Sequence, residues 1–534
     1  MVVKSLAMSV LRIGLVLIGA GLTTACSDKL GPDFVAPAIT TSPEWLNAGP
    51  AALKQGPAKN WWSLFEDPVL DRLMGRAFEQ NLDVRAAAVR ILEARAQLGI
   101  ARSLMFPQHT ELRGDAGYDQ LSEKSPYFLD LPSHSFPYYQ TSLDTAWEID
   151  LWGKFRRGIE ASSAQLAIKA LEYDDLLVSL TAEVATAYIQ IRTFEERLRI
   201  ARQNADLQKH TYEIAKSQYE NGINTELDMQ QANALYQRTL AEITHLESGL
   251  KQSIYALCQL LGLAPSNLEQ TLSGSKGIPE VHRDVFVGIP ADILRRRPDV
   301  RKAAFEAASE SAQIGIAKSE LFPSLTLLGS VGYAAGHVDA VDLAHMSNPS
   351  GLAGKIGPTI RWPVFQFGRL RNNVRAQDAR FQSALTLYRN TVLRALREVE
   401  EGLVENQQSK IRVERLGTGV AASRRAAELA LLQYQNGLED YIRVLNAELF
   451  LVDQQDKWLT SRGDVARTLV LIYKALGGGW EIREGKPLLP SETLRVMKER
   501  TDWGQLLDEP VNRLTDQAEQ PQKPEDGSYF ESWW

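Results

Sequence analysis

Two cysteines in 534 residues, Cys26 and Cys258, leave no disulfide framework to hold this chain together. Histidine is scarce as well: the seven present are scattered and none forms an HExxH pair, so the zinc-hydrolase signature is missing. With 37 glycines, 23 prolines and a mean hydropathy of −0.23, the composition excludes collagen, wholesale disorder and a multi-span helical membrane protein. Basic residues are not in excess either: 59 Lys and Arg against 66 Asp and Glu give a net charge of −7, which argues against nucleic acid as a partner. The one basic cluster, Arg295-Arg296-Arg297 with Arg301 and Lys302, reads as a solvated helix start. Gly477-Gly478-Gly479 follows a helix end and reads as a terminator rather than a phosphate cradle. No catalytic constellation, metal set or cofactor motif stands out, so no enzyme activity and no cofactor are expected. Cys258, in the apolar run YALCQLLG, reads as a small buried side chain.

What is present begins at the N-terminus. Lys4 and Arg12 precede an apolar run from Ile13 to Leu22. That run is shorter than the about 20 residues a membrane helix needs, so residues 1–25 read as a secretory signal. The sequence Leu22-Thr23-Thr24-Ala25-Cys26 resembles the cleavage box of bacterial lipoproteins, with Thr23 where that box carries leucine. The resemblance implies lipidation of Cys26, and Ser27 in place of aspartate favours the outer membrane. Residues 26–60, with their prolines, then form a lipidated tether.

The rest of the chain is written twice. LDVRAAAVRILEARAQLGIARSLMFP (Leu82 to Pro107) aligns without a gap to PDVRKAAFEAASESAQIGIAKSELFP (Pro298 to Pro323) at an offset of 216, with 13 of 26 positions identical. At an offset of 215, Gly153 matches Gly368, Tyr219-Glu220-Asn221-Gly222 matches Tyr434-Gln435-Asn436-Gly437, and Leu261-Gly262 matches Leu476-Gly477. WEIDLWGK (Trp147 to Lys154) and VFQFGRLR (Val364 to Arg371) fall in the same duplicated region. The division expected is a first repeat over 61–275, a second over 276–484 and a polar tail over 485–534, equatorial or partly disordered.

Each copy should contain a short helix ending at Phe-Pro, two strands, a very long helix, a tight turn and a returning helix. In the first copy the long helix is expected from about Phe155 to Tyr219, which is roughly 98 Å at 1.5 Å per residue. Leu177, Leu180, Val184, Ala187, Ile191, Phe194, Leu198, Ala201 and Ala205 recur along it at steps of three and four, the seam of a helix packed side by side with others. The returning helix, about Glu226 to Leu261, and the short helix, about Asp83 to Met105, together match its length, so the two are expected to stack end to end.

The strands alternate. Leu112, Ala116 and Tyr118 oppose Glu111, Arg113 and Asp115, and the odd residues from Tyr139 to Leu151 oppose Gln140, Ser142, Asp144, Glu148 and Asp150. Leu325, Leu327, Val331 and Tyr333, then Ile356, Ile360 and Trp362, repeat the apolar face in the second copy. A soluble half-buried sheet has this pattern, and so does an outer-membrane barrel strand. Four strands cannot close a barrel, and open edges in lipid leave backbone groups unsatisfied. Several copies of the chain are therefore needed: two would give eight strands with little lumen, three would give twelve.

GPDFVAP (Gly31 to Pro37), WWSLFEDPVLDRLM (Trp61 to Met74), WEIDLWGK, RRPDVR (Arg296 to Arg301) and ALGGGW (Ala475 to Trp480) resemble the TolC family of outer-membrane efflux proteins, in its lipoprotein branch. The resemblance implies an α+β membrane protein and a homotrimer, with a 12-stranded transmembrane β-barrel, four strands per chain. A 12-helix periplasmic α-barrel and a mixed equatorial domain complete it. It implies an exit duct for small molecules such as drugs, working with a periplasmic adaptor and an inner-membrane pump of the RND type. It implies a gate at the helical tips, formed by Asp228, Glu439, Asp440, Ile442 and Asn446, the last where relatives often carry aspartate. Gly222-Ile223 and Gly437-Leu438 resemble the adaptor-docking turns. The rival readings are a duct for type I protein secretion and a non-porous coiled-coil lipoprotein.

Overall fold

A computed structural model describes residues 29–37, 45–47, 60–120, 122, 135–275, 277–281, 295–336 and 352–507. The signal segment, Cys26 and the end of the tail from residue 508 lie outside the described residues. The helices of ten or more residues are α1 (Pro68–Gln80), α2 (Leu82–Ser103), α3 (Lys154–Glu220), α4 (Glu226–Leu260), α5 (Pro298–Ser319), α6 (Arg369–Gln435), α7 (Tyr441–Ala475) and α8 (Ser491–Arg500). The strands are β1 (His109–Gln120), β2 (Ser135–Ile149), β3 (Ser324–Gly336) and β4 (Leu352–Arg361).

The duplication reappears as elements of equal length. Helices α3 and α6 have 67 residues each, α4 and α7 have 35, and α2 and α5 have 22. A 67-residue helix is about 100 Å long. Every residue of the apolar seam read from the sequence of α3 is buried or half-buried. No described helix is long and apolar enough to cross a membrane.

The short and returning helices meet end to end through one side chain per repeat. Asn81 caps α2 by accepting from the Val84 amide (3.0 Å), while its Nδ2 donates to the Leu260 carbonyl at the end of α4 (2.9 Å). The capping residue of α5, Arg297, donates from Nη1 to the Ala475 carbonyl at the end of α7 (2.6 Å). Each joint supplies a partner to a last-turn carbonyl that helix geometry leaves without one. Asn81→Ala is expected to cost about 1–2 kcal/mol, read as a lower thermal midpoint, with Asn81→Asp intermediate because it keeps the cap and loses the donor.

Arg297 also corrects the sequence reading of the basic cluster. It is buried and binds Asp299 (2.7 Å) and Glu398 (2.8 Å), and its neighbour Arg296 binds Glu481 (2.7 Å). Arg296 and Arg297 are a structural clasp, because the Ala475 carbonyl, Glu398 of α6, Asp299 and Glu481 supply the acceptors that guanidinium groups need out of water.

The main core gathers around Trp61, which stacks on Tyr473 with centroids 5.5 Å apart and planes 7° from parallel. Asp67 caps α1, accepting from the Val69 and Leu70 amides, and also accepts from the Tyr188 hydroxyl (2.6 Å) and Ser275 Oγ (2.9 Å). The carboxylate thereby ties α1, α3 and the segment between the repeats. Arg483, just after α7, forms a two-pronged pair with Asp174 of α3 at 2.6 and 3.1 Å, both groups buried. The start of the tail is packed here too: Leu494, Trp503 and Leu507 lie against this core.

The four strands form one antiparallel sheet in the order β1-β2-β3-β4, open at β1 and β4. Its register keeps the two faces apart. One row runs Leu112, Leu143, Val331, Gly354, and the next runs Glu111, Asp144, Ser330, Lys355. Leu112, Tyr118, Leu143, Val331, Ile356 and Ile360 of the apolar face are exposed in the single chain. Strand β2 stops at Ile149, short of the alternation read to Leu151, because Asp150 turns to accept from the amide (2.9 Å) and Nε (3.2 Å) of Arg156 in the first turn of α3.

Beside this junction lies a strap from the N-terminal segment. Arg157, 1% exposed, donates to the carbonyls of Leu30 and Gly31 (both 3.0 Å) and pairs with Asp33 (2.9 Å). Leu30 donates in turn to the Trp152 carbonyl (3.1 Å). Gly31 has φ +95°, and a Cβ there would strike the Gly315 backbone, so only glycine fits.

Candidate functional site

The two hairpin turns at the end of α3 and α6 are built alike. Gly222 has φ +71°, its amide bonds the Tyr219 carbonyl (2.9 Å), and the Ile223 amide bonds that of Gln218 (2.8 Å). Gly437 has φ +68° with the same pair of bonds, to Tyr434 (3.0 Å) and from Leu438 to Gln433 (2.9 Å). This helix stop normally tucks the apolar residue after glycine against the helix three positions before its cap. Here those positions are Gln218 and Gln433, so Ile223 (69% exposed) and Leu438 (73%) stand out in solvent.

Behind the turns the two hairpins pack on each other. Tyr434 and Tyr441 meet edge to face at 5.4 Å, backed by Ala215, Ala232, Ala430 and Val444. Asn224 of the first turn donates to the Tyr434 hydroxyl of the second hairpin (2.9 Å). Burial pushes the Tyr441 phenol up, with further increments from Glu448, Tyr434 and Asp228. Asp228, half-buried on the first turn of α4, is thus in electrostatic reach of the tyrosine pair.

The other expected gate residues lie on the same tip without joining one cluster. Glu439 pairs with Arg443 (2.6 Å), Asp440 precedes α7 and is exposed, and Ile442 and Asn446 are exposed on successive turns of α7. A residue that the sequence reading passed over is more enclosed. Glu448, 6% exposed, accepts from Thr211 Oγ1 of α3 (3.2 Å), and its Oε2 has no partner among the described residues. Burial raises its carboxyl to about 7, with the Thr211 hydrogen bond opposing. The signal was in the spacing: Tyr441, Val444, Glu448, Gln455 and Leu459 form the inward face of α7, and a glutamate in that seam is out of place. Two turns further along, Arg197 of α3 grips Asp456 of α7 at 2.6 and 3.1 Å, and Asn204 donates to Gln455 (2.8 Å).

The chain therefore joins two long helical hairpins to two strand hairpins, and the strands form one sheet with an uncharged face and a polar one. The model of the outer membrane efflux protein family matches residues 73–263 and, a second time, residues 289–478. The chain belongs to that family. It is an outer-membrane efflux channel, and its fold is that of the TolC-like channels. The solved structure of the outer-membrane channel OprN is 30% identical, with a TM-score of 0.78 covering 85% of this chain and 99% of that one. Nodulation protein T of Rhizobium leguminosarum bv. trifolii is 28% identical over 459 residues, covering 84% of this chain and 94% of that protein. The toluene efflux pump outer membrane protein TtgF of Pseudomonas putida is 29% identical over 432 residues, covering 80% and 87%.

Proposed function

We propose that three copies of this chain form the exit duct of a tripartite pump, each giving four strands to a twelve-stranded barrel and four long helical segments to a periplasmic tunnel. The observation that carries this reading is the sheet: four strands, two open edges and an exposed apolar face, which in lipid is stable only when other copies close the ring. The channel itself does no chemistry; an inner-membrane pump of the RND type drives transport through a periplasmic adaptor. The adaptor docks on Ile223 and Leu438, whose neighbours Gly222 and Gly437 hold them outward. Asp228, Glu439, Asp440, Ile442 and Asn446 form the gate, where copies related by symmetry bring acids and apolar side chains into rings. The cargo is small molecules; TtgF is named for toluene efflux and relatives in the same family for solvent efflux and pyoverdine export.

Cys26 anchors the duct by lipid. Support comes from the strap: three residues beyond Cys26, Lys29 sits against Gly153 at the foot of the sheet.

Purified full-length protein in a planar bilayer is expected to give steady conductance, and native mass spectrometry in mild detergent a trimer. Trimers with no conductance would favour a non-porous coiled-coil lipoprotein, and monomers alone would remove the barrel.

A further inference from the structure

The duplication specifies how neighbouring copies join, given the trimeric reading on which this inference rests. His109 pairs with Ala146 across β1 and β2, and Ser324 with Arg361 across β3 and β4, so a shift of 215 carries one hairpin onto the other strand by strand. The helical offset of 216 changes to 215 through one extra residue, Gln108, whose amide side chain bonds the Glu148 backbone at both N (2.7 Å) and O (3.0 Å). The junction between the two hairpins, β2 with β3, is therefore a template for the junction between β4 of one copy and β1 of the next.

We propose that β4 pairs antiparallel with β1 of the next copy in the register Thr359 to Asp115, Trp362 to Leu112 and Ile356 to Tyr118, and that Phe367 seats on Phe106 of that copy. The template pairs are Asp144 with Ser330, Trp147 with Leu327 and Thr141 with Tyr333.

Four observations converge on this register. It keeps apolar residues facing lipid on both strands, whereas a one-residue slip sets Trp362 opposite Glu111 or Arg113, since side chains alternate faces. Ser330 donates to Asp144 (2.5 Å) in the template; Thr359 and Asp115 are again hydroxyl and carboxylate, with the strands exchanged. Trp152 lies on Phe322 at 4.8 Å and donates to the Pro323 carbonyl (2.7 Å), while the repeat mates Phe367 and Phe106 are 102% and 63% exposed in the single chain. Phe367 moreover holds a left-handed φ of 46°, a cost that a seat for its ring would offset. Finally, Gly315 presses on the Arg157 side chain of α3, yet its mate Gly99 has nothing within 4 Å, leaving room for α6 of the preceding copy, the one whose β4 meets this β1. The same register places Arg361 opposite Arg113, two like charges on the watery face; Asp115 already neutralises Arg113 at 2.7 Å.

Full-length protein carrying Thr359→Cys with Asp115→Cys, oxidised in native outer membranes, is expected to run as covalent dimers and trimers on denaturing gels and to revert on reduction. Thr359→Cys with Arg113→Cys or with Gly117→Cys is expected to cross-link several-fold less, because diagonal neighbours stand about 7–8 Å apart against about 5 Å for opposed ones. Phe367→Cys with Phe106→Cys tests the same junction outside the sheet should the strand pair disturb folding. Intact trimers by native mass spectrometry that cross-link best at an off-register pair, or at none, would overturn the register and leave the trimer standing. Monomers alone would overturn both.

Discussion

Arg483→Met is expected to destabilise the protein by about 3–5 kcal/mol, because it strands the Asp174 carboxylate inside the core. Asp174 is 2% exposed, and burial is the largest influence on it, raising its carboxyl to about 6 while the Arg483 guanidinium pulls it back. Arg483 is also stacked over the Trp480 ring at 5.2 Å, so its loss opens packing as well as charge. The expected readings are a lower midpoint of thermal unfolding in detergent and a reduced amount in the outer membrane. Asp174→Leu combined with Arg483→Met should recover most of the loss, since a buried ion pair replaced whole by apolar groups is close to neutral. A single variant with an unchanged midpoint would show that the pair does not tie the end of α7 to α3.

Glu448→Gln is expected to abolish an alkaline loosening of the helical tips. The folded tip holds this carboxyl at about 7, above its ordinary 4.5, so the folded state binds a proton that the unfolded chain has released. Its contribution is complete below pH 4.5 and is lost as the pH rises through about 7. The total is on the order of 3 kcal/mol. The groups facing it are Thr211 from α3 and Tyr441 from α7, with Tyr434 and Asp228 beyond that tyrosine; none is a cation. Above neutrality the charge is therefore uncompensated, and the α3–α7 seam near the helical tips should open more often. Hydrogen exchange over 205–216 and 441–452, corrected for intrinsic rates, is expected to quicken between about pH 6 and about pH 8 in the parent and to stay level in Glu448→Gln. Equal behaviour of the two proteins would sink this expectation.

Much of the architecture was readable because it rests on periodicity. The long helix read from Phe155 to Tyr219 runs from Lys154 to Glu220, and its mate has the same 67 residues. Strand faces were readable for the same reason, since a period of two fixes which side a residue takes once the element is known. Within the basic run Arg297 was misread, because solvation and a buried clasp look alike until Glu398 and the Ala475 carbonyl arrive from about 100 and 180 residues away, while Arg295 is exposed as read. Glu448 was passed over because an acid on a long helix is ordinarily on its wet side, and only its position in the seam sets it apart.

The sequence by itself determined the duplication, the helix lengths, the alternating strands and the turns at Gly222 and Gly437, all of which follow from local spacing and from the few residues that adopt a positive φ. Only the tertiary structure decided which charges are buried together, where the strap beside Arg157 lies, and that β2 pairs with β3 so that β1 and β4 are the edges. Those depend on contacts between residues more than a hundred positions apart, whose energies come from desolvation and pairing that no local pattern records.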